Sequence, residues 1–130
     1  MTAEVVVDSS VWIEYFRRGD GPVFDALDTL LDGRRAILCG VVELEIHQGL
    51  RTQERAMVTD LFQALPYFET RRSDFIAAGE LLGELRAQGV TIPSSDALVA
   101  AICLQRGVAL LTLDRHFDRV PGLRRFAVGV

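Results

Sequence analysis

Glu4-Val5-Val6-Val7-Asp8-Ser9-Ser10-Val11-Trp12-Ile13-Glu14-Tyr15-Phe16 is the stretch that decides the fold. Three valines, stiff at χ1 and too few for a helix, make residues 4–8 a short buried strand. Asp8-Ser9-Ser10 then supplies N-cap oxygens and predicts a helix over about 10–17. The same alternation recurs. Ala36-Ile37-Leu38-Cys39 predicts a second strand followed by a helix over 41–50, and Val108 to Thr112 a third strand followed by a helical turn over 115–120. Gly19-Asp20-Gly21-Pro22 interrupts the chain before a helix running to Leu31. A further helix spans 53–64, and Pro66 to Glu69 is a short edge strand. Ser73-Asp74 is expected to cap a long helix to Gln88, with Phe75, Ala78, Leu82 and Leu85 on one face. Ser94 or Ser95 is expected to cap a helix from Asp96 to Gln105, and Leu123 to Val128 is a candidate last strand. Strands alternating with helices predict an α/β chain. The expected architecture is a three-layer α/β/α sandwich around a mainly parallel sheet of four to five strands, with residues 1–130 forming one domain.

Composition narrows the function. The chain has 130 residues, 49% hydrophobic and 25% charged, which is enough for a real core. No apolar run approaches the roughly 20 residues of a membrane span, and Met1-Thr2-Ala3-Glu4 lacks the features of a signal peptide, which predicts a cytoplasmic protein. Cys39 and Cys103 lie in apolar surroundings without CxxC spacing and read as buried free thiols. A net charge of −4 argues against general polyanion binding. All 14 basic residues are arginine. A chain without lysine cannot carry a P-loop, nor the lysine that receiver domains and haloacid-dehalogenase-type phosphatases use on similar sheets.

Four acids fall where strands end and helices begin. Asp8 closes the first strand, Glu45 lies in the helix after the second, Asp96 opens a helix, and Asp114 follows the third strand. Asp8, Asp96 and Asp114 taken singly are ordinary cap or helix-dipole residues. Glu45 is harder to dismiss. At 100° per residue it lies about 60° from the apolar centre of its helix, whereas Glu43 lies about 100° and His47 about 140° away. An ionised Glu there needs a partner, with Arg51 or Arg55 as candidates, or a metal ion. Together the four predict an all-oxygen site for Mg²⁺ or Mn²⁺ at the carboxyl edge of the sheet. His47 and His116 read as ordinary surface residues.

Four motifs carry a resemblance: Val7-Asp8-Ser9-Ser10-Val11-Trp12-Ile13-Glu14-Tyr15-Phe16, Glu45-Ile46-His47-Gln48-Gly49, Asp96-Ala97-Leu98-Val99-Ala100-Ala101 and Leu111-Thr112-Leu113-Asp114-Arg115-His116-Phe117. In order and spacing the chain resembles a PIN domain, specifically the VapC-type ribonuclease toxins. The resemblance implies that Asp8, Glu45, Asp96 and Asp114 hold one or two divalent ions, Mg²⁺ or Mn²⁺, and hydrolyse RNA with a water attacking in line. It implies Thr112 as a hydroxyl neighbour, Ser10 as an orienting group and Asp118 as an outer ligand. Glu45 is preferred to Glu43 for its face and its spacing to Gly49. The implied partners are RNA, a VapB-type antitoxin, and a second copy in a homodimer or in a heterotetramer or larger assembly with antitoxin.

Trp12, Tyr15 and Phe16 read either as core or as a partner contact. Arg17, Arg18 and Arg115, close in sequence to Asp8 and Asp114, are candidates for holding the RNA backbone. A PIN-like module that binds RNA or protein without cutting is the alternative, and a small phosphatase or 5′ nuclease a more distant one.

Overall fold

The computed structural model describes residues 3–128. Its sheet contains β1 (Val5–Val7), β2 (Ala36–Cys39), β3 (Tyr67–Phe68) and β4 (Ala109–Leu111), in the order β3-β2-β1-β4 and parallel throughout. Between them run α1 (Ser9–Arg18), α2 (Pro22–Asp32), α3 (Gly40–Gln48), α4 (Arg55–Gln63), α5 (Arg72–Ala87) and α6 (Ser94–Arg106). A short 3-10 helix, Arg115–Arg119, follows β4. The path steps from β1 to β2 to β3 and then returns to the far side of β1. Among the helices, α1 packs against α2 and α3, and α5 packs most extensively against α6. The α/β sandwich expected from the sequence is therefore the fold observed.

Covering both faces explains why the strands are apolar at every position. Val5, Val6, Val7, Ala36, Ile37, Leu38 and Cys39 are all buried, as in parallel sheets generally. Trp12 is also core, packed against the rings of Phe16 and Phe62, which settles its reading. Tyr15 and Phe16 remain half-buried. Cys39 and Cys103 are buried and unbridged. Burial pushes the Cys39 thiol up to about 11 and that of Cys103 up as well, so both stay protonated.

Several local expectations are corrected. Leu123 to Val128 does not form a strand: it meets β4 at one bridge, Arg125 beside Leu110. Two backbone bonds, Leu110 N to Arg124 O at 2.9 Å and Phe126 N to Leu110 O at 2.8 Å, make that contact. Three-residue β4 offers too short an edge for more. Helix α6 begins with Pro93 at its N-cap, so Ser94 and Ser95 lie inside the first turn and make no cap bond.

Helix α5 differs most instructively. Its N-cap is Arg71, whose N–H donates to Asp74 Oδ2 at 2.7 Å. Asp74 is fully buried, and Ala78, Leu81 and Leu85 continue its stripe, while Phe75 is 57% exposed. Ala78 and Leu85 are buried as expected and Leu82 partly so, but Phe75 faces out, because a charged residue and not an aromatic one starts the stripe. Asp74 is tolerated there because Arg106 of α6 grips it bidentately, Nη1 to Oδ1 at 2.8 Å and Nη2 to Oδ2 at 3.0 Å. The same guanidinium donates to Glu69 O at 2.8 Å and lies over the Phe68 ring. One arginine thus ties α6 to α5 and to the edge strand.

Burial pushes the Asp74 carboxyl up, but Arg106, the Arg71 N–H and Gln105 outweigh it and hold it below its ordinary 3.8. Asp74→Ala strands the Arg106 charge and is expected to cost about 3 kcal/mol in urea denaturation. A carboxyl with a lowered folded pKa stabilises fully above its unfolded value and loses that contribution as pH falls through the folded one. The gap between wild type and Asp74→Ala is therefore expected to be full at neutral pH and to shrink in acid.

Candidate active site

The sheet's switch point lies between β1 and β4, whose C-terminal ends are side by side with Val7 opposite Leu111. This register sets Asp8 against Thr112. Thr112 Oγ1 donates to Asp8 Oδ2 at 2.9 Å, and Ser10 Oγ donates to the same oxygen at 2.7 Å. The Asp114 N–H donates to Thr112 Oγ1 at 2.9 Å, and the Leu113 N–H to Ser10 Oγ at 3.1 Å. Asp8 also caps α1 through the Ser10 N–H, so its ordinary role and its place in the cluster coexist. All the bonds to Asp8 use Oδ2, and among the described residues its Oδ1 receives no donor.

Glu45 comes from α3, which starts directly after β2. Ser9 Oγ of α1 donates to its Oε1 at 3.1 Å. Among the described residues no arginine forms a salt bridge with it, and Arg51, an expected partner, pairs with Glu54 instead. Glu43 lies on the other side, where burial first and then the Glu43 charge raise the Tyr67 hydroxyl. Glu45 itself is held above the usual carboxylate range, first by burial and then by Asp8 and Asp96, with the Ser9 bond opposing.

Asp96 is the third residue of α6 and is buried. Burial raises its pKa most, and Asp114 and Asp8 add to it against a bond from His116. Asp114 caps the 3-10 helix, accepting from the His116 N–H at 2.9 Å. That turn carries the His116 ring back: Nδ1 lies 2.9 Å from Asp96 Oδ2 and 3.0 Å from Asp114 Oδ1. His116 is therefore part of the cluster rather than an ordinary surface residue, and its pKa is raised, chiefly by the Asp96 bond. The sequence held a signal for one half of this only: an Asp that caps a turn accepts from the N–H two positions on, which keeps His116 near Asp114, whereas the reach of its ring to Asp96 has no local signature.

Asp8, Glu45, Asp96 and Asp114 thus face one another electrostatically, while Asp118 does not join them. Asp118 is bound by Arg125 Nη1, and Arg125 Nη2 donates to Thr112 O at 3.0 Å. Its contribution is to brace the end of β4. Arg17 borders a cleft of about 500 Å³ that also contains Glu45, Ile13, Phe16 and Gly49. Arg18 turns to Glu14 at 3.4 Å. Arg115 lines a second cleft, of about 510 Å³, with His116, Arg119 and Ile92.

No arginine forms a salt bridge with any of the four acids among the described residues. Single donor atoms of Asp96, Asp114 and His116 lie within 4.8 Å of one another. Burial and the neighbouring acids hold Glu45 and Asp96 above the usual carboxylate range, and such a set of oxygens suits a hard divalent ion such as Mg²⁺ or Mn²⁺.

A parallel sheet carrying acids at its switch point defines a class, and comparison identifies it. The PIN domain family description matches residues 5–123, and the chain belongs to that family. It is 29% identical over 119 residues to VapC ribonuclease Mb1587 of Mycobacterium bovis, covering 88% of this chain and 89% of that protein. Ribonuclease VapC11 of Mycobacterium tuberculosis matches to the same extent. VapBC2 from Rickettsia felis, bound to a DNA fragment from its promoter, superposes with a TM-score of 0.81 at 18% identity, over 94% of this chain and 96% of that one. DNA-bound VapBC from Salmonella typhimurium gives 0.81 at 19% identity, over 96% and 98%. Among the described residues no helix is long and apolar enough to cross a membrane.

A carboxyl with a raised folded pKa weakens the fold while ionised, and stability recovers as pH falls through that value. In divalent-free buffer at neutral pH, Asp96→Asn and Glu45→Gln are each expected to melt a few degrees above wild type. The gap should close on acidification, measured by differential scanning calorimetry.

Proposed function

We propose that this chain is the endoribonuclease toxin of a toxin–antitoxin pair, hydrolysing RNA phosphodiesters with Mg²⁺ or Mn²⁺. The observation that carries this reading is the convergence of Asp8, Glu45, Asp96 and Asp114 on one edge of a PIN-domain sheet. VapC ribonucleases among its relatives support the substrate. The four acids would hold the metal. A divalent ion bound there supplies Lewis-acid polarisation of the scissile phosphate and lowers the pKa of the attacking water.

The remaining groups work by position. Thr112 and Ser10 fix one oxygen of Asp8 and leave the other free to bind. Ser9 aims Glu45 at the same pocket. Arg17, in the cleft that contains Glu45, and Arg115, in the cleft that contains His116, hold flanking phosphates of the RNA. Arg18, paired with Glu14, is the weaker candidate. Asp118, paired with Arg125 and half exposed beside His116, is the candidate outer ligand.

The VapBC complexes that share the fold support a VapB-type antitoxin as partner, with the toxin as a homodimer alone or within a heterotetramer or larger assembly. An RNA substrate puts its action in the cytoplasm. Residues 1–130 act as one domain.

Purified protein is expected to cleave RNA with added Mg²⁺ or Mn²⁺ and to stop on chelation. Asp8→Asn and Asp114→Asn should abolish cleavage, and Thr112→Val should slow it by about 10–100-fold, the range for a residue that orients a metal ligand. Cleavage that survives both chelation and Asp8→Asn would sink the mechanism. RNA that binds without being cut would favour the non-catalytic module. Raising salt is expected to weaken wild-type RNA binding, and Arg17→Ala or Arg115→Ala should flatten that dependence.

A further inference from the structure

The second half of the acidic pocket has a donor that a purely carboxylate site lacks. His116 Nδ1 lies 2.9 Å from Asp96 Oδ2 and 3.0 Å from Asp114 Oδ1, and those two oxygens come from different elements. An imidazole nitrogen carries at most one hydrogen, directed in the ring plane, so it makes one good hydrogen bond and not two. Ligands that share an octahedral ion at about 2.1 Å lie about 3.0 Å apart when adjacent. Both separations also serve a hydrogen bond, and donor atoms of all three residues fall within 4.8 Å of one another, close enough for one ion to stand where the shared proton would.

The ring is also held ready. Asp114 accepts the His116 N–H at 2.9 Å, and the next residue, Phe117, is buried in the core. The side chain itself is 49% exposed, so an ion can reach it from solvent. Arg115, between the two donors, is exposed and lines the neighbouring cleft instead of pairing with either acid.

We propose that His116 is a nitrogen ligand, with Asp96 and Asp114, of a divalent transition ion, and that it biases the pocket toward Mn²⁺ over Mg²⁺. Mg²⁺ demands oxygen donors and sheds water reluctantly, whereas first-row transition ions accept imidazole readily. The nitrogen therefore adds affinity for one class of ion and little for the other. The inference rests on the reading of the acids as a metal site. It says which end of the pocket the selective ion occupies.

The chain has only two histidines, which makes a direct test available. The full-length protein is loaded with Mn²⁺ and examined by electron spin echo envelope modulation. Nitrogen coupling is expected in wild type, switching to the ¹⁵N pattern when histidine alone is ¹⁵N-labelled. It should persist in His47→Gln, whose ring packs against Phe62, and vanish in His116→Gln. By calorimetry, His116→Gln should weaken Mn²⁺ by about tenfold or more, with Mg²⁺ changing much less. Labelled His47→Gln, whose remaining histidine is His116, decides the matter even if the His116 variant misfolds. Mn²⁺ bound without nitrogen coupling overturns the ligand assignment and leaves the nuclease reading intact. Equal weakening of both ions overturns the selectivity. Failure of wild type to bind Mn²⁺ overturns this proposal and the metal reading together. Nitrogen coupling in a protein that cuts no RNA upholds the ligand and rejects the nuclease.

Discussion

The hydrogen bond from Thr112 to Asp8 is the hinge of the molecule. It exists because β1 and β4 run parallel with Val7 opposite Leu111, so the residues following each strand meet at one level. The two residues are 104 positions apart in the chain. Everything else in the pocket is referred to that pair. Ser10 completes the shell around the same oxygen, Ser9 reaches Glu45, and the Asp114 N–H returns to Thr112. Loss of strand register would turn these side chains to other faces at once.

Two buried aspartates show how one chain separates support from chemistry. Asp74 has an arginine, a glutamine and a backbone N–H, and its carboxyl is held down. Asp96 has carboxylates for neighbours and one histidine, and its carboxyl is pushed up. Both sit in the same layer of helices. The first ties α5 to α6 and helps stability. The second costs stability, as functional sites commonly do, and the ion proposed above would offset that cost.

Much of this was legible from local pattern. The valine run at β1, the Asp-Ser-Ser that follows it and the alternation of elements all have short-range causes: χ1 stiffness, cap hydrogen bonds and helical period. Glu45 could be separated from Glu43 because a helix fixes the angle between neighbours, and Ser9 does lie on the Glu45 side. Phe75 misled because periodicity weighs hydrophobicity, while the stripe of α5 begins with a charge whose partner is 32 residues away. The last strand misled for a similar reason. Strand propensity in residues 123–128 says nothing about how long an edge β4 will offer.

The amino-acid sequence alone determined most of the elements, their alternation, the apolar surroundings of the thiols and the acids Asp8, Asp96 and Asp114 at strand and helix ends. Each follows from interactions within a few residues of itself. Only the tertiary structure decided that His116 stands between Asp96 and Asp114, that Asp118 belongs to Arg125, and that Arg106 neutralises Asp74. Those choices depend on which charge meets which across the packed elements. Coulombic pairing acts through space, and residue spacing along a chain carries no record of it.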